Sequence, residues 1–206
     1  MEYKMEYKAV GNRCAVALQD LCLPLARDEI LAILKRKGFI ALEVDIIALA
    51  YEYLKTSKYR RGARLYEAPE VFDCSSLIKW LYGQRGVWLP RRSIQQRELG
   101  EIVPPDELIA GDVVFTSGRI DYYLNDPATG VGHVGLYVGA ETIIHAANKK
   151  LNLVASPLAQ FIGNSQFRGA RRYIPGGTEV ITFQTPFGRE VESADDIKWI
   201  ILQSLA

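Results

Sequence analysis

Apolar residues recur at helical spacing in the first half of the chain. One such pattern runs from Asp28 through Lys37 and ends at Gly38, and its apolar members are Ile30, Leu31, Ile33 and Leu34. A second pattern covers Val44 to Leu54. A third follows Asp73, a residue type that caps helices, and continues through Leu77, Ile78 and Leu81 until Gly83 and Gly86 stop it. Helices are therefore predicted for this half.

Short segments of strand character replace the helical patterns further along the chain. They lie near Val113–Phe115, His133–Val138 and Thr142–Ala146. The tail adds a strand at Glu179–Phe183 and an apolar helix at Ile197–Leu202, with a capping box at Ser193–Asp196 before the helix. Helices first and antiparallel strands later indicate an α+β fold.

The turn between two of these strands decides where the two histidines of the chain point. If residues 139–141 form a three-residue loop, Val138 faces Thr142, and His133 and His145 become diagonal neighbours on one face, about 7–8 Å apart. A two-residue loop would place the rings on opposite faces, because a one-residue slip inverts every side chain. Cooperation between the histidines therefore requires the longer loop.

Composition fits one domain with extensions and gives no sign of a nucleic-acid or membrane protein. The chain has 206 residues, 49% of them hydrophobic, and its 25 basic and 24 acidic residues give a net charge of +1. This balance favours no nucleic-acid partner. No apolar stretch is long enough to predict a membrane span, and an oligomer is compatible with the sequence but unsupported by it.

Three cysteines do not make a persuasive disulfide framework. Cys14 and Cys22 are interpreted as reduced, apolar packing residues. Cys74, His133 and His145 could in principle bind a metal, but no closely spaced ligand pair accompanies them, so no metal site is predicted. Their order in the chain favours nucleophilic chemistry.

Cys74, followed downstream by His133 and His145, suggests a cysteine nucleophile, its base and a third polar group. An imidazole stabilises a thiolate, and the base in turn needs an orienting partner. The helix start around Cys74 also favours the thiolate, so both effects are expected to lower the pKa of the thiol. Taken singly, a histidine is usually a surface or core residue and a helix-start cysteine is often a small buried hydrophobe. The prediction of a catalytic site therefore rests on Cys74, His133 and His145 occurring together in this order.

A series of short motifs between residues 44 and 175 resembles the NlpC-type cell-wall peptidases, which are papain-like cysteine enzymes. The motifs occur in the order that this family shows. They are Tyr59–Gly62, Asp73–Ser75, Leu89–Arg91 with Ser93 and Gln96, Pro105 with Ala110–Phe115, Gly132–Gly139 and Ile144–Ala146. The resemblance implies a papain-like fold, in which N-terminal helices, with the cysteine at a helix start, pack on an antiparallel β-sheet that carries the histidines.

The same resemblance implies a reaction. Cys74 looks like the nucleophile, His133 like the base that later protonates the leaving amine, and His145 like the polar third member. The implied activity is hydrolysis of an amide in peptidoglycan stem peptides through an acyl-enzyme, with the bond between D-glutamate and a diamino acid as the expected target. The expected partner is a peptidoglycan-derived peptide, and no cofactor is required. An amidase or acyltransferase on the same scaffold and a non-catalytic wall-peptide binding module are the alternatives.

Residues next to the cysteine have further implied roles. Tyr59 looks like the tyrosine that donates to the developing oxyanion together with the N–H of Cys74. Asp73 and Ser75 are candidates for binding the peptide amine of the substrate, with helix capping and first-turn solvation as an equal alternative. Ser76 departs from the family, which most often has glycine there, and its side chain is either tolerated or narrows the site.

The segment 117–130 is longer than the usual connection in this family. It is expected to carry Asp121, Tyr122 and Tyr123 towards the cleft and to shape substrate choice, because loops on a rigid scaffold often set specificity. A plain surface excursion is the alternative, since Asn125–Pro127 and Thr129–Gly130 are turn signals.

The chain is predicted to consist of three sections: a helical extension over residues 1–43, the catalytic domain over residues 44–175, and a strand–helix extension over residues 176–206. The doubled Met-Glu-Tyr-Lys start is charged and does not resemble a signal peptide. The protein is therefore expected either in the cytoplasm or outside it after export by a non-standard route.

Overall fold

The computed structural model of the protein describes residues 7–205, so most of the doubled Met-Glu-Tyr-Lys start lies outside the described residues. The described chain divides into two compact units. The first comprises residues 46–81 and 89–173, and the second comprises residues 7–45, 82–88 and 174–205.

Strands and helices alternate irregularly along the chain. The strands are β1 (Arg13–Ala17), β2 (Ile40–Leu42), β3 (Lys58–Tyr59), β4 (Val71–Phe72), β5 (Glu101–Ile102), β6 (Val113–Thr116), β7 (His133–Tyr137), β8 (Thr142–Asn148), β9 (Asn152–Pro157), β10 (Phe167–Arg172) and β11 (Val180–Gln184). The α-helices are α1 (Arg27–Arg36), α2 (Ile46–Glu52), α3 (Cys74–Gln84), α4 (Ser93–Gln96), α5 (Ala159–Ile162) and α6 (Ala194–Leu202). Short 3₁₀ helices cover Leu18–Leu21, Leu65–Glu67, Pro105–Glu107, Pro127–Thr129 and Asn164–Gln166.

A six-stranded antiparallel sheet forms the framework of the first unit. Its strand order is β5-β10-β6-β7-β8-β9, and β3 pairs with β4 in a separate parallel ribbon. Apolar side chains from several strands and from α5 form a buried cluster that includes Val114, Tyr137, Ile143, Phe161 and Ala170. The predicted α+β fold, with the histidines on an antiparallel sheet and the cysteine at a helix start, is confirmed.

An ion pair joins the neighbouring strands β10 and β6 of this sheet. The Nε and Nη2 atoms of Arg172, at the end of β10, donate to the two carboxylate oxygens of Asp112, just before β6, over 2.9 and 2.8 Å. The Asp112 side chain is only 1% exposed. Because a fork-shaped guanidinium matches a carboxylate in geometry, this buried pair fixes the register of the two strands.

The β7–β8 hairpin has the register that its sequence predicts. Leu136 faces Ile144 and Tyr137 faces Ile143, and the N–H of Val138 donates to the carbonyl oxygen of Thr142 over 3.0 Å. Residues 139–141 are therefore the loop, and residue 145 stands opposite Gly135. His133 and His145 consequently share one face of the sheet.

The second unit contains the sheet β1-β11-β2 and the helices α1 and α6. Both ends of the chain contribute to one buried cluster, whose members include Leu34, Phe183 and Ile201. The capping box at Ser193 is confirmed at the start of α6. Cys14 is a free, buried packing residue as predicted, whereas Cys22 is free but exposed, so its predicted packing role is wrong.

Several elements differ from their predictions. Strands β1 to β5 and β9 were not predicted, since β2 to β5 are only two or three residues long and β1 and β9 lack a strict alternation of polar and apolar residues. Gly83 lies inside α3 and does not end it. The helix ends before Gly86, whose φ of +77° is the left-handed conformation that glycine adopts without strain.

Candidate active site

Cys74 is the first residue of α3, and a reciprocal pair of hydrogen bonds caps that helix. The N–H of Ser76 donates to Oδ1 of Asp73, and the N–H of Asp73 donates to Oγ of Ser76, both over 2.8 Å. These bonds satisfy backbone groups that a helix start leaves unpaired. The predicted capping role of Asp73 is confirmed. Ser76 is 1% exposed, so its side chain is tolerated as part of the cap.

Arg91 completes a polar network behind the cysteine. Its Nη1 donates to Oδ1 of Asp73 over 3.1 Å and to Oγ of Ser75 over 2.9 Å, and its Nη2 donates to Oδ2 of Asp73. The N–H of Gly62 adds a further bond to Oδ2 over 3.0 Å. Both Asp73 and Ser75 are buried, and their polar atoms are engaged within the protein. Their binding of a substrate amine stays a prediction.

A cleft of about 860 Å³ opens in front of Cys74. Its walls include the cysteine, both histidines and Tyr59, but neither Asp73 nor Ser75. The lining residues are Tyr59, Arg61, Cys74, Gly118, Arg119, Ile120, Tyr122, Gly132, His133, His145, Ala147, Asn148, Lys149, Lys150, Leu151, Ser156 and Gln160. The structure therefore brings together the predicted nucleophile, base and third polar group.

Burial dominates the electrostatics of the Cys74 thiol. Burial, with a smaller contribution from the nearby Asp73, raises the pKa of Cys74 to about 12. Backbone N–H groups of Ser75 and Val134 point at the sulfur and oppose this rise. The expected lowering of the Cys74 pKa is therefore wrong for the free cleft, because the loss of hydration outweighs the stabilisation at the helix start.

The two imidazoles form a hydrogen-bonded chain along the sheet. Nε2 of His133 lies 2.7 Å from Nδ1 of His145, and Nε2 of His145 lies 3.0 Å from Oγ of Ser156 on β9. Both nitrogens of His145 are thus occupied, and Nδ1 is the free nitrogen of His133. The neutral tautomers that leave Nδ1 of His133 able to accept a proton have Nε2–H of His133 donating to His145 and Nε2–H of His145 donating to Ser156.

The aromatic ring of Phe161 lies beside both imidazole rings. The ring of Phe161 lies 5.6 Å from that of His133 and 5.0 Å from that of His145, measured between centroids. Burial lowers the pKa of His133 to about 4, and burial together with His133 lowers the pKa of His145 to about 3. Both imidazoles are therefore neutral at pH 7, and His133 is available as a proton acceptor.

The lack of a side chain at Gly135 leaves the space that the side chains of Ile143 and His145 occupy. A Cβ atom at this position would lie 2.3 Å from Cγ2 of Ile143 and 3.2 Å from Cβ of His145. Any side chain here would displace His145 or its neighbours. Gly135 therefore helps to position the imidazole of His145.

Tyr59, at the end of β3, places its ring in the cleft near Cys74. Burial raises the pKa of the Tyr59 phenol, and the Cys74 and Asp73 anions raise it further. The N–H of Tyr59 donates to Oδ1 of Asn152 over 3.0 Å, which ties β3 to the first residue of β9. A phenol with a raised pKa keeps its proton, so Tyr59 can donate to an oxyanion.

The segment 117–130 lines the cleft with partly different side chains from those that its sequence suggests, because Arg119 and Ile120 are among the lining residues. Tyr122 lines the cleft as predicted. Asp121 instead accepts hydrogen bonds from Ser117 Oγ over 2.5 Å and from the N–H of Gly118 over 2.7 Å, and it therefore holds the loop together. Tyr123 is 53% exposed and outside the lining set.

Sequence reasoning missed two residues around the histidines, Ser156 and Phe161. Finding Ser156 would have required recognising β9 from the apolar and small residues of Asn152–Pro157. Phe161 lies in a short helix of one turn, which leaves no periodic signal. Arg91 was part of a quoted motif, but its contact with Asp73 spans many residues of the chain and is visible only in the fold.

A cysteine at a helix start, preceding histidines on an antiparallel sheet, defines the papain-like class of α+β domains. Residues 56–172, more than half of the chain, match the NlpC/P60 family. The chain therefore belongs to this family of cysteine peptidases.

Similar proteins support this assignment. A gamma-DL-glutamyl hydrolase from Bacillus subtilis is 34% identical over 127 residues, which are 59% of this chain and 29% of that protein. A gamma-D-glutamyl-L-lysine dipeptidyl-peptidase from Bacillus cereus is 31% identical over 105 residues, which are 50% of this chain and 29% of that protein. The chain thus spans less than a third of either relative.

Solved structures give the same result. The crystal structure of an NlpC/P60 family protein from Bacillus cereus superimposes with a TM-score of 0.54 and 27% identity. The match covers 64% of this chain and 40% of that one. Across the described residues, no helix is long and apolar enough to cross a membrane.

Proposed function

We propose that this protein is a cysteine endopeptidase that hydrolyses the bond between D-glutamate and a diamino acid in peptidoglycan stem peptides. The observation that carries the proposal is the shared cleft, which is lined by Cys74 and by His133, whose Nε2 is hydrogen-bonded to His145. Membership of the NlpC/P60 family supports the reaction class. The names of two relatives, both of which specify a γ-glutamyl bond, support the choice of bond.

The first chemical step follows from the free nitrogen of His133. Nδ1 accepts the proton of the Cys74 thiol as the sulfur attacks the scissile carbonyl carbon. Since burial raises the pKa of Cys74 to about 12 and lowers that of His133 to about 4, separate charges are disfavoured before substrate binds. Proton transfer is therefore coupled to attack, and the imidazolium forms beside the anionic intermediate.

The negative charge develops on the carbonyl oxygen, and two donors are proposed to receive it. One is the N–H of Cys74, which lies in the first helical turn and has no acceptor within the helix. The other is the Tyr59 hydroxyl, which keeps its proton because its pKa is raised. Donors of this kind stabilise the transition state more than the ground state.

Collapse of the intermediate breaks the carbon–nitrogen bond. The imidazolium of His133 returns its proton to the leaving amine, and a thioester to Cys74 remains. Water then loses a proton to Nδ1 of His133 and attacks the thioester, which releases the new carboxylate and restores the thiol. His145, anchored by Ser156, keeps the His133 ring oriented through both halves of this cycle.

Mass spectrometry of defined tripeptide and tetrapeptide stems tests the proposal. The wild-type protein, under reducing conditions, is expected to cut after D-glutamate, and Cys74→Ala is expected to leave the peptides intact. Cys22→Ala is the matched control, because Cys22 is an exposed free cysteine in the second unit. A cut at the sugar–peptide junction would instead indicate an amidase, transfer to an acceptor amine or alcohol an acyltransferase, and tight binding without product a binding module.

A further inference from the structure

The cleft in front of Cys74 has an uneven distribution of charge. Four basic residues line it, namely Arg61, Arg119, Lys149 and Lys150, and its described lining contains no aspartate or glutamate. The whole chain is nearly balanced, with 25 basic and 24 acidic residues. The charge of the cleft therefore reflects where these residues lie in the fold and does not follow from composition.

Acidic residues close to the cleft are engaged elsewhere. Asp73 is bound by Arg91, by two backbone N–H groups and by a serine hydroxyl. Asp121 directs its carboxylate to Ser117 and Gly118. Among the described residues, neither carboxylate forms an ion pair with a cation of the lining, so the lining itself carries a net positive charge towards whatever enters the cleft.

A hydrogen bond within the cleft holds the side chain of Arg61. Its Nη2 donates to the hydroxyl of Tyr122 over 3.1 Å. Tyr122 is itself fixed, because its backbone pairs with Val131 over 3.1 and 2.8 Å and the guanidinium of Arg92 lies 5.5 Å from its ring centroid. One edge of the Arg61 guanidinium is held in this way, and donors remain for a ligand.

Arg61 is also close to the reacting groups. It lies two residues after Tyr59, and its positive charge opposes the rise in the Tyr59 pKa. Tyr59 in turn is coupled electrostatically to Cys74. Arg61 and Cys74 also line the same cleft, so a substrate positioned for attack by Cys74 has neighbouring atoms within the cleft that Arg61 lines.

The chemistry of a γ-glutamyl amide supplies a matching anion. Its side-chain carbonyl is the scissile one, so the α-carboxyl group is left free, a short aliphatic chain away from the reacting carbon. We propose that Arg61, held by Tyr122, binds this α-carboxylate, and that the cleft selects peptides whose glutamate carries a free carboxylate over peptides in which it is amidated. The inference rests on the proposed function and adds the specificity of its substrate site.

The physical basis of this selection is the loss of a charged acceptor. A carboxylate accepts two parallel bonds from a guanidinium, whereas a carboxamide has one oxygen and directs its NH₂ donors at a group that only donates. Arg119, Lys149 and Lys150 add long-range attraction, which salt screens. The expected preference for the free carboxylate is about tenfold or more in affinity.

Binding to Cys74→Ala, measured by calorimetry, tests this inference without requiring turnover. The probes are two L-Ala-γ-D-Glu-diamino acid tripeptides that differ only in an α-carboxylate or an α-carboxamide on the glutamate. The acid is expected to bind about tenfold more tightly, and adding Arg61→Gln is expected to reduce the difference to about twofold or less. Arg36→Gln, an exposed arginine of α1 in the second unit, is the control for loss of charge and should leave the preference intact.

Three results would overturn the inference: equal affinities for the two peptides, an equal loss of both affinities in Arg61→Gln, or no binding of either peptide. Hydrolysis by the wild-type protein separates this inference from the proposed function. Cleavage of both peptides with the same kcat/KM would leave the proposed function standing and contradict the carboxylate preference. A carboxylate preference in binding without any cleavage would support the inference while contradicting the proposed function.

Discussion

The polar groups on the two sides of Cys74 are organised in opposite ways. On the helix side, Asp73 is surrounded by donors, among them Arg91, with which it forms an ion pair, and two backbone N–H groups. On the sheet side, His133, His145 and Ser156 are joined in a line that contains no carboxylate.

This difference suits the two sides to different roles. The helix side positions the nucleophile, and the sheet side transfers the proton. A paired charge in a nearly buried position holds one geometry, which suits the start of the helix that carries the nucleophile. A line of neutral groups can accept a proton without first breaking an ion pair, which suits a base. We expect changes on the helix side to lower stability and changes on the sheet side to lower kcat.

Replacement of His133 should have the largest effect on the sheet side. His133→Gln keeps a polar side chain but removes the base, so kcat should fall by about 10³-fold or more. Steady-state hydrolysis of the tripeptide measures this loss, and circular dichroism checks the fold. A fall of less than about tenfold would show that another group takes the proton from Cys74.

Breaking the helix-side network should chiefly cost stability. Asp73→Asn retains a helix cap but loses the charge that Arg91 pairs with, so the free energy of unfolding should fall by about 1–3 kcal/mol. Urea unfolding of the full chain measures the difference.

The matched control is an exposed pair of the same type. The Arg60–Glu67 ion pair has side chains that are 46% and 23% exposed, and Arg60→Met should change stability by at most about 1 kcal/mol. If Asp73→Asn lowered the free energy of unfolding by no more than this control, the polar network behind Cys74 would not be what stabilises the start of α3.

Ser156 should have a smaller effect that is confined to the sheet side. Ser156→Ala removes the acceptor of His145 Nε2–H, so His133 loses its fixed orientation, and kcat should fall about tenfold with KM unchanged. Ser156→Thr, which keeps the hydroxyl, should restore part of the rate. An equal loss in both variants would indicate that the size of the side chain matters, and not its hydrogen bond.

The smallest expected effect is that of pH, because activity should hardly change around neutral pH. The pKa of His133 is lowered to about 4, and the base must be neutral to act, so activity is present above that pH and is lost as the pH falls through it. The logarithm of kcat/KM should therefore stay level from pH 7 down to about pH 5.

Ultraviolet absorbance at about 240 nm provides the corresponding measurement on the thiol. A neutral resting pair predicts thiolate absorbance from Cys74 only at alkaline pH, because burial raises the pKa of the thiol to about 12. Cys22→Ser is the suitable background, since Cys22 is exposed. Thiolate absorbance persisting below pH 6 would show a resting ion pair and would contradict the neutral arrangement.

The sequence allowed much of this site to be predicted, because the deciding features are local. The three-residue loop at 139–141 sets the hairpin register, and Asp73 before the apolar positions of α3 sets the helix start. The contacts of Arg91 with Asp73 and of His145 with Ser156 join segments that are distant or unrecognised in the sequence. No local pattern encodes them.

The pKa of Cys74 was mispredicted for a physical reason. A sequence shows which residues could stabilise a thiolate, but the cost of removing the sulfur from water depends on what covers it. Burial of the Cys74 sulfur in the fold outweighs the backbone N–H groups of Ser75 and Val134 that favour the thiolate.

The covalent intermediate on Cys74 is the most direct test of the whole account. Intact-protein mass spectrometry after rapid acid quenching of wild-type protein with the tripeptide should show an added mass equal to the L-Ala-γ-D-Glu acyl group. Peptide mapping should place it on Cys74, and Cys74→Ala should show neither adduct nor product. Hydrolysis that persists in Cys74→Ala would contradict the assignment of this residue as the nucleophile.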